Sequence, residues 1–239
     1  MKKRLDNLIA NAGLATRSEA KKLIRSKRIT ANGSIVTDPS AKFDPTETIL
    51  ALDGAPITIR THIYLMMNKP QDVVCATEDN LFPTVCDLLS EEHLAFAPYP
   101  VGRLDKDTEG FVLLSNNGDL AHKIISPKHH VPKRYYATIE GRVTKEHVEL
   151  FSKGVCLEDG YVTMPAQLFL LSDHEIELVI HEGKFHQVKR MFEAIDCKVT
   201  FLKRLEIGPL KLDKALSPGE YRELSQQELQ LLKTVLQMD

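Results

Sequence analysis

The sequence contains no tryptophan, few aromatic residues of any kind, and only four cysteines in 239 positions. It has no run of 18 or more apolar residues, which excludes a membrane-crossing helix of ordinary length. Cys75, Cys86, Cys156 and Cys197 share no short spacing, so neither a zinc knuckle nor a small secreted disulfide framework is expected. The adjacent His129 and His130, and the pair His181 and His186, have no carboxylate at ligand spacing, so no metal site is expected. Phosphate-cradling glycine loops, low-complexity tracts and internal repeats are also missing. The opening Met1-Lys-Lys-Arg-Leu-Asp lacks the apolar segment of a secretory signal; the expectation is a cytoplasmic protein with reduced thiols.

What is present is charge, unevenly distributed. The formal net charge is −2, yet residues 1–43 carry ten Lys/Arg against Asp6, Glu19 and Asp38. A basic end on an acidic body points to an anionic partner for that end, most economically nucleic acid. The competing reading is a solvated helix face.

Leu5, Leu8, Ile9 and Ala12 recur at helical spacing, so residues 4–12 are predicted to form a short helix ended by Gly13. Thr16 and Glu19 make a capping box for a second helix, whose Ala20, Leu23 and Ile24 face inward. At 100° per residue, Arg17, Lys21, Arg25 and Arg28 fall within an arc of about 80°, a cationic ridge next to Lys22. Arg28 to Thr37 reads as a hairpin around Asn32-Gly33, and a short strand near Thr48–Leu52 turns at Asp53-Gly54. Over residues 2–58 this pattern resembles the S4 RNA-binding domain, which implies binding to structured RNA and no particular chemistry. We expect an S4-like domain over 1–60 and a second domain over 61–239.

In that second domain Ile63–Met67, Phe111–Leu114, Tyr135–Ile139, Ile176–Ile180 and Val199–Leu205 read as strands. Helices are predicted from about Asp119, around Val188–Ile195, and after the Ser225/Glu228 capping box. Irregular interspersion of strands and helices favours an α+β domain with a mixed, largely antiparallel sheet flanked by helices. Three segments hold more polar groups than packing requires. Gly102-Arg-Leu-Asp-Lys-Asp-Thr-Glu-Gly110 is a charged loop entering a buried strand, a setting that can fix a carboxylate. Ser126–Tyr136 interleaves His129, His130, Lys133 and Arg134 with Tyr135 and Tyr136, a mixture suited to phosphates and bases. By alternation one of the two tyrosines is core. Glu182–Phe192 opens a helix with Lys189 and Arg190, able to hold either a phosphate or a carboxylate from elsewhere.

The ordered set NKP, GRLDKDTEG, SPKHHVPKRYY, EGKFHQVKRMF and LSPGEYREL resembles the RsuA-type pseudouridine synthases across essentially the whole chain. That resemblance implies isomerisation of a ribosomal RNA uridine, with Asp105 as the catalytic aspartate and Tyr135 against the target uracil. It further implies Lys189 as the ion-pair partner of Asp105 and Arg103 as the group filling the space left by the flipped nucleotide. Asn68 and Lys69 lie in a family motif with no assigned role. SPKHHVPKRYY is closer to the small-subunit branch, implying 16S rRNA and uridine 516, while Lys106 after RLD is shared in kind with a large-subunit branch. The reaction adds and removes nothing, so no cofactor is expected; the expected partner is ribosomal RNA, with no membrane, and the protein itself a monomer. A carboxylate must attack the sugar or take a sugar proton. Two rivals are a non-catalytic S4-type RNA-binding protein and a metal-dependent RNA hydrolase.

Overall fold

A computed structural model describes residues 2–45 and 47–238. The chain forms two compact units, Met1–Ile63 with Leu89–Pro98, and Tyr64–Leu88 with Tyr99–Asp239.

In the first unit, β1 (Lys3–Arg4) leads into α1 (Leu5–Asn11), and α2 (Arg17–Arg25) follows. The anticipated capping box is present: Thr16 Oγ1 accepts from the Glu19 amide, and the Glu19 carboxylate accepts from the Thr16 amide at 2.9 Å. Next come β2 (Ile29–Ala31), β3 (Ser34–Ile35), β4 (Lys42–Phe43), β5 (Leu50–Leu52) and β6 (Ala55–Pro56). An antiparallel sheet runs in the order β3-β2-β5-β6, while β4 pairs with β1. Asn32 and Gly33 both have positive φ (48° and 80°), as a tight hairpin turn requires. Leu5, Leu8, Ile9, Ala20, Ile24, Ile29 and Leu50 close a small core with no exposed surface.

One sequence expectation is corrected here. Arg28 does not continue the ridge of α2, because the helix stops at Arg25 and Lys27 turns left-handed (φ 63°). Its guanidinium instead binds Asp53, with Nε 3.0 Å from Oδ1. Residues 89–98 of the first unit hold α3 (Glu91–Leu94), and buried Phe96 lies 5.7 Å under the Arg60 guanidinium.

The second unit contains β7 (Tyr64–Lys69), β8 (Tyr99–Val101), β9 (Glu109–Ser115), α4 (Gly118–Ile125), β10 (Lys133–Glu140), α5 (Lys145–Lys153), β11 (Gln167–Leu170) and β12 (Glu175–Ile180). These are followed by α6 (Gln187–Glu193), β13 (Lys198–Ile207), β14 (Leu210–Lys211), β15 (Tyr221–Glu223) and α7 (Gln226–Val235). One sheet runs β11-β12-β10-β13-β9-β7-β15, with β8 on β9 and β14 on β13. Among its named strands, every pairing is antiparallel except β13 with β9. The α+β class and the largely antiparallel sheet match the expectation. At the parallel contact Arg204 faces Gly110, where a Cβ would lie 2.3 Å from the Arg204 carbonyl oxygen. Only glycine fits there, and it lets the charged loop before it run directly into the sheet. Met66, Phe111 and Leu113 pack under Leu120 and Ile124 of α4 and Leu232 of α7. Among the described residues no helix is long and apolar enough to cross a membrane.

Candidate active site

The loop 102–108 is tied to the segment that follows β7. Lys69, fully buried, donates from Nζ to the carbonyls of Pro70 (2.7 Å) and Lys106 (3.2 Å). The Asp72 amide also donates to the Lys106 carbonyl at 3.0 Å, and the Leu104 amide donates to Cys75 Sγ at 3.3 Å. Burial pushes the Lys69 pKa below the usual lysine value and the Cys75 thiol above its own. Lys69 thus has a role the sequence did not show: it is a peg under the Asp105 loop. Asp105 itself is half-buried, its carbonyl accepting from the Thr108 amide at 3.1 Å.

From the other side, α6 brings Lys189 to the loop. Its Nζ lies 3.1 Å from Asp105 Oδ2 and 2.6 Å from Asp107 Oδ1. Burial alone would lower the Lys189 pKa, but bonds to the two carboxylates outweigh it and hold the ammonium above its usual range. The same balance leaves Asp107 below the usual carboxylate value: partial burial raises it, and Lys189 lowers it further. The cationic helix start therefore holds carboxylates from within the chain. His186 Nε2 stands 3.7 Å from Asp105 Oδ1.

Behind Asp105, β10 alternates Lys133, Tyr135, Ala137 and Ile139 toward the buried face. A bulge in the β10–β13 ladder sets Tyr135 opposite Arg204. Arg204, 3% exposed, donates from Nε to the Phe111 carbonyl at 2.7 Å and from Nη1 to the Tyr135 hydroxyl at 3.5 Å. Its Nη2 has no partner among the described residues. Lys133 donates to the carbonyl of Val131 at 3.0 Å, and burial together with the Arg204 charge lowers its pKa to about 8. Asp105, Tyr135, Lys133, Arg204 and Arg103 all line one open cleft of about 670 Å³, large enough for a nucleoside.

The structure brings together a carboxylate paired with a half-buried lysine and a buried tyrosine lining the same cleft, the residues that the ordered motifs singled out. Comparison with known proteins decides the family. Residues 63–194 match the RNA pseudouridylate synthase family, and residues 3–49 match the S4 domain. An uncharacterised RNA pseudouridine synthase of Bacillus subtilis, YtzG, is 46% identical over 96% of this chain and 98% of its own length. Ribosomal small subunit pseudouridine synthase A of Escherichia coli K12 is 42% identical over 95% and 98%. A crystal structure of a pseudouridylate synthase is 41% identical, covering 96% of this chain and 99% of its own, with a TM-score of 0.69. The chain belongs to the RNA pseudouridine synthase family. It is an isomerase, and the non-catalytic and hydrolase readings fall away.

The remaining sequence candidates divide by their surroundings. In this pseudouridine synthase Arg103 is exposed on the lip of the cleft, whereas Arg190 turns away to Asp159 at 2.6 Å. His129 and His130 are exposed on the turn before β10, while Lys133 beyond them is buried. On α2, Lys22 and Arg25 are exposed and Lys21 is half-buried; Arg17 reaches Asp6 at 3.6 Å. Sequence reasoning missed Arg204, Asp107 and the approach of His186. No periodic signal marked Arg204, because its alternate neighbours on β13 are Lys198, Thr200 and Glu206, with Leu202 alone apolar.

Proposed function

We propose that the protein converts a uridine of small-subunit ribosomal RNA, position 516 of 16S rRNA, to pseudouridine. The single observation that carries the site assignment is Asp105 held at 3.1 Å by Lys189 in the cleft lined by Tyr135. Near-full-length identity of about 40% to small-subunit enzymes supports the substrate, as does the SPKHHVPKRYY segment.

The uridine leaves its stack, which costs a few kcal/mol, and stacking on Tyr135 returns roughly 1–3 kcal/mol. The N1–C1′ bond breaks with its electron pair going to the uracil. Asp105 either attacks C1′ or takes a sugar proton to give a glycal. The uracil turns and C5 joins C1′, which displaces the Asp105 carboxylate on the first route or returns the sugar proton on the second; the C5 proton departs and N1 regains a proton, so the atoms balance without any co-reactant. Lys189, 3.1 Å from the carboxylate, pairs with it and aims it. Arg103 fills the gap left in the RNA. The cations of the first unit, Arg17, Lys21, Lys22, Arg25 and Arg28, together with the exposed His129 and His130, supply contacts to RNA that are blind to sequence; Lys133, buried, and Arg190, paired with Asp159, act within the protein instead. We assign the S4-like domain to residues 1–60, and the protein acts as a cytoplasmic monomer.

The test follows tritium release from C5-labelled uridine in 16S and 23S rRNA, then maps the modified position. Release from 16S alone, at 516, is expected. Release from 23S alone overturns the substrate, in line with the Lys106 signal.

A further inference from the structure

Phe185 is 72% exposed although it lines the same cleft as Asp105, where the other exposed large apolar side chain, Ile125, is 49% exposed. Its ring stacks on the imidazole of His186, with centroids 3.8 Å apart and planes 16° apart. His186 in turn faces Asp105 at 3.7 Å. A flat double layer of rings therefore begins at the catalytic carboxylate and ends in water.

The loop presenting it is held firmly. Glu182, 3% exposed, accepts from the Tyr161 hydroxyl at 2.6 Å, the Met164 amide at 2.8 Å and Gln187 Nε2 at 2.9 Å. Gln187 Oε1 accepts from the Lys184 amide at 2.8 Å, closing the loop on itself. His186 takes a left-handed backbone (φ 50°) at the start of α6, a conformation uncommon for residues other than glycine. The chain thus spends a buried carboxylate network on keeping a phenylalanine out of the core. Folding gains nothing from that; binding a flat apolar partner does.

Extruding a uridine supplies such a partner. Its two neighbours stay at the mouth of the cleft, and each has lost the stacking face that the target base provided. We propose that Phe185, backed by His186, is a stacking platform for one base adjacent to the target uridine. This rests on the reading of the Asp105 cleft as the uridine site. It adds a flanking-base contact that any of the four bases satisfies, with larger purine faces favoured over pyrimidines.

The experiment is a cycle between protein and RNA. Single-turnover isomerisation is measured on a stem–loop RNA carrying the target uridine, with the neighbouring nucleotides intact or with an abasic residue on the 5′ or the 3′ side. Phe185→Ala and Phe185→Leu should each raise the RNA concentration for half-maximal rate roughly 10-fold, and Phe185→Trp should restore it. An abasic neighbour on one side should weaken the wild type by a similar factor and leave Phe185→Ala no worse. Losses that add on both sides overturn the proposal, as does full recovery with Leu, which would mean simple apolar burial. Failure of the wild type on every small-subunit RNA overturns the substrate assignment alone; the cycle then decides Phe185 on whichever uridine-containing RNA the enzyme modifies.

Discussion

On α2 of the first unit, Lys22 and Arg25 stand in solvent on a helix whose opposite face is buried. In the second unit, Lys69, Lys133 and Arg204 are at most 9% exposed, and each is bonded to backbone carbonyls. The same residue types thus serve two purposes. Exposed cations attract phosphates at a distance, tolerate misalignment and are screened by salt. Buried cations have one geometry each, so they act as struts: Lys69 under the Asp105 loop, Arg204 behind the Tyr135 hydroxyl. Charge near an RNA-binding surface is therefore no guide to RNA contact until its burial is known.

Five tests sharpen or break this contrast, beginning with the largest effect. Asp105→Asn keeps shape and removes charge, so single-turnover isomerisation should fall by at least ~10³-fold while RNA affinity stays within a few-fold. Appreciable turnover by the purified variant removes Asp105 from the chemistry. Tyr135→Phe keeps the stacking face but leaves Arg204 Nη1 without its hydroxyl partner; affinity should hold while the rate falls ~10²-fold. Tyr135→Ala should also lose affinity, by ~1–3 kcal/mol, and wild-type behaviour of both variants reduces the residue to packing.

Lys69→Met takes the ammonium from the Pro70 carbonyl and leaves the Lys106 carbonyl with the Asp72 amide alone, at a cost of ~1–3 kcal/mol. For a domain of this size calorimetry should show Tm lower by about 2–4 °C per kcal/mol, accompanied by slower isomerisation. An unchanged Tm would mean the strut bears nothing. In the first unit, Lys21→Ala and Arg25→Ala should each flatten the log–log dependence of RNA affinity on salt by about 0.7–0.9. Arg28→Ala should flatten it less, because Asp53 already neutralises that guanidinium. Equal slopes for all three would erase the distinction between paired and unpaired surface cations.

The smallest effect lies at α7. Hydrogen bonds from Arg222 hold the Glu228 carboxyl down at about 2, against an ordinary value of 4.5. Since the folded group binds its proton more weakly than the unfolded one, its stabilisation is complete above ~pH 4.5 and lost as pH falls toward 2. Glu228→Gln should flatten the acid limb of stability in that window and change little at pH 7 beyond the loss of one partly exposed pair. An acid limb identical to wild type would show that the pair is already broken in solution.

Legibility followed the range of the interactions. The Thr16/Glu19 and Ser225/Glu228 boxes, the Asn32-Gly33 turn and the alternation of β10 were readable because each depends on neighbours within a few residues. The stretch holding α5 and β11 gave no usable pattern: α5 buries only Phe151 fully, and that ring packs on Phe192 more than forty residues away, at 5.2 Å. The Asp105 and Lys189 pairing was reached from ordered motifs, not from spacing, since 84 residues separate the two.

By itself the sequence determined the basic S4-like start, the α+β class, and the ordered motifs with their charged loop around Asp105. These depend on local periodicity, on turn chemistry and on the order of residues along the chain. Only the tertiary structure decided which cations are struts and which are free to meet phosphate. Burial is a property of what packs over a side chain, and what packs over Lys69, Arg204 and Lys133 comes from strands and loops far away in the chain. The same reason hid Phe185, whose exposure depends on a carboxylate network formed only once residues 161, 164, 182 and 187 meet.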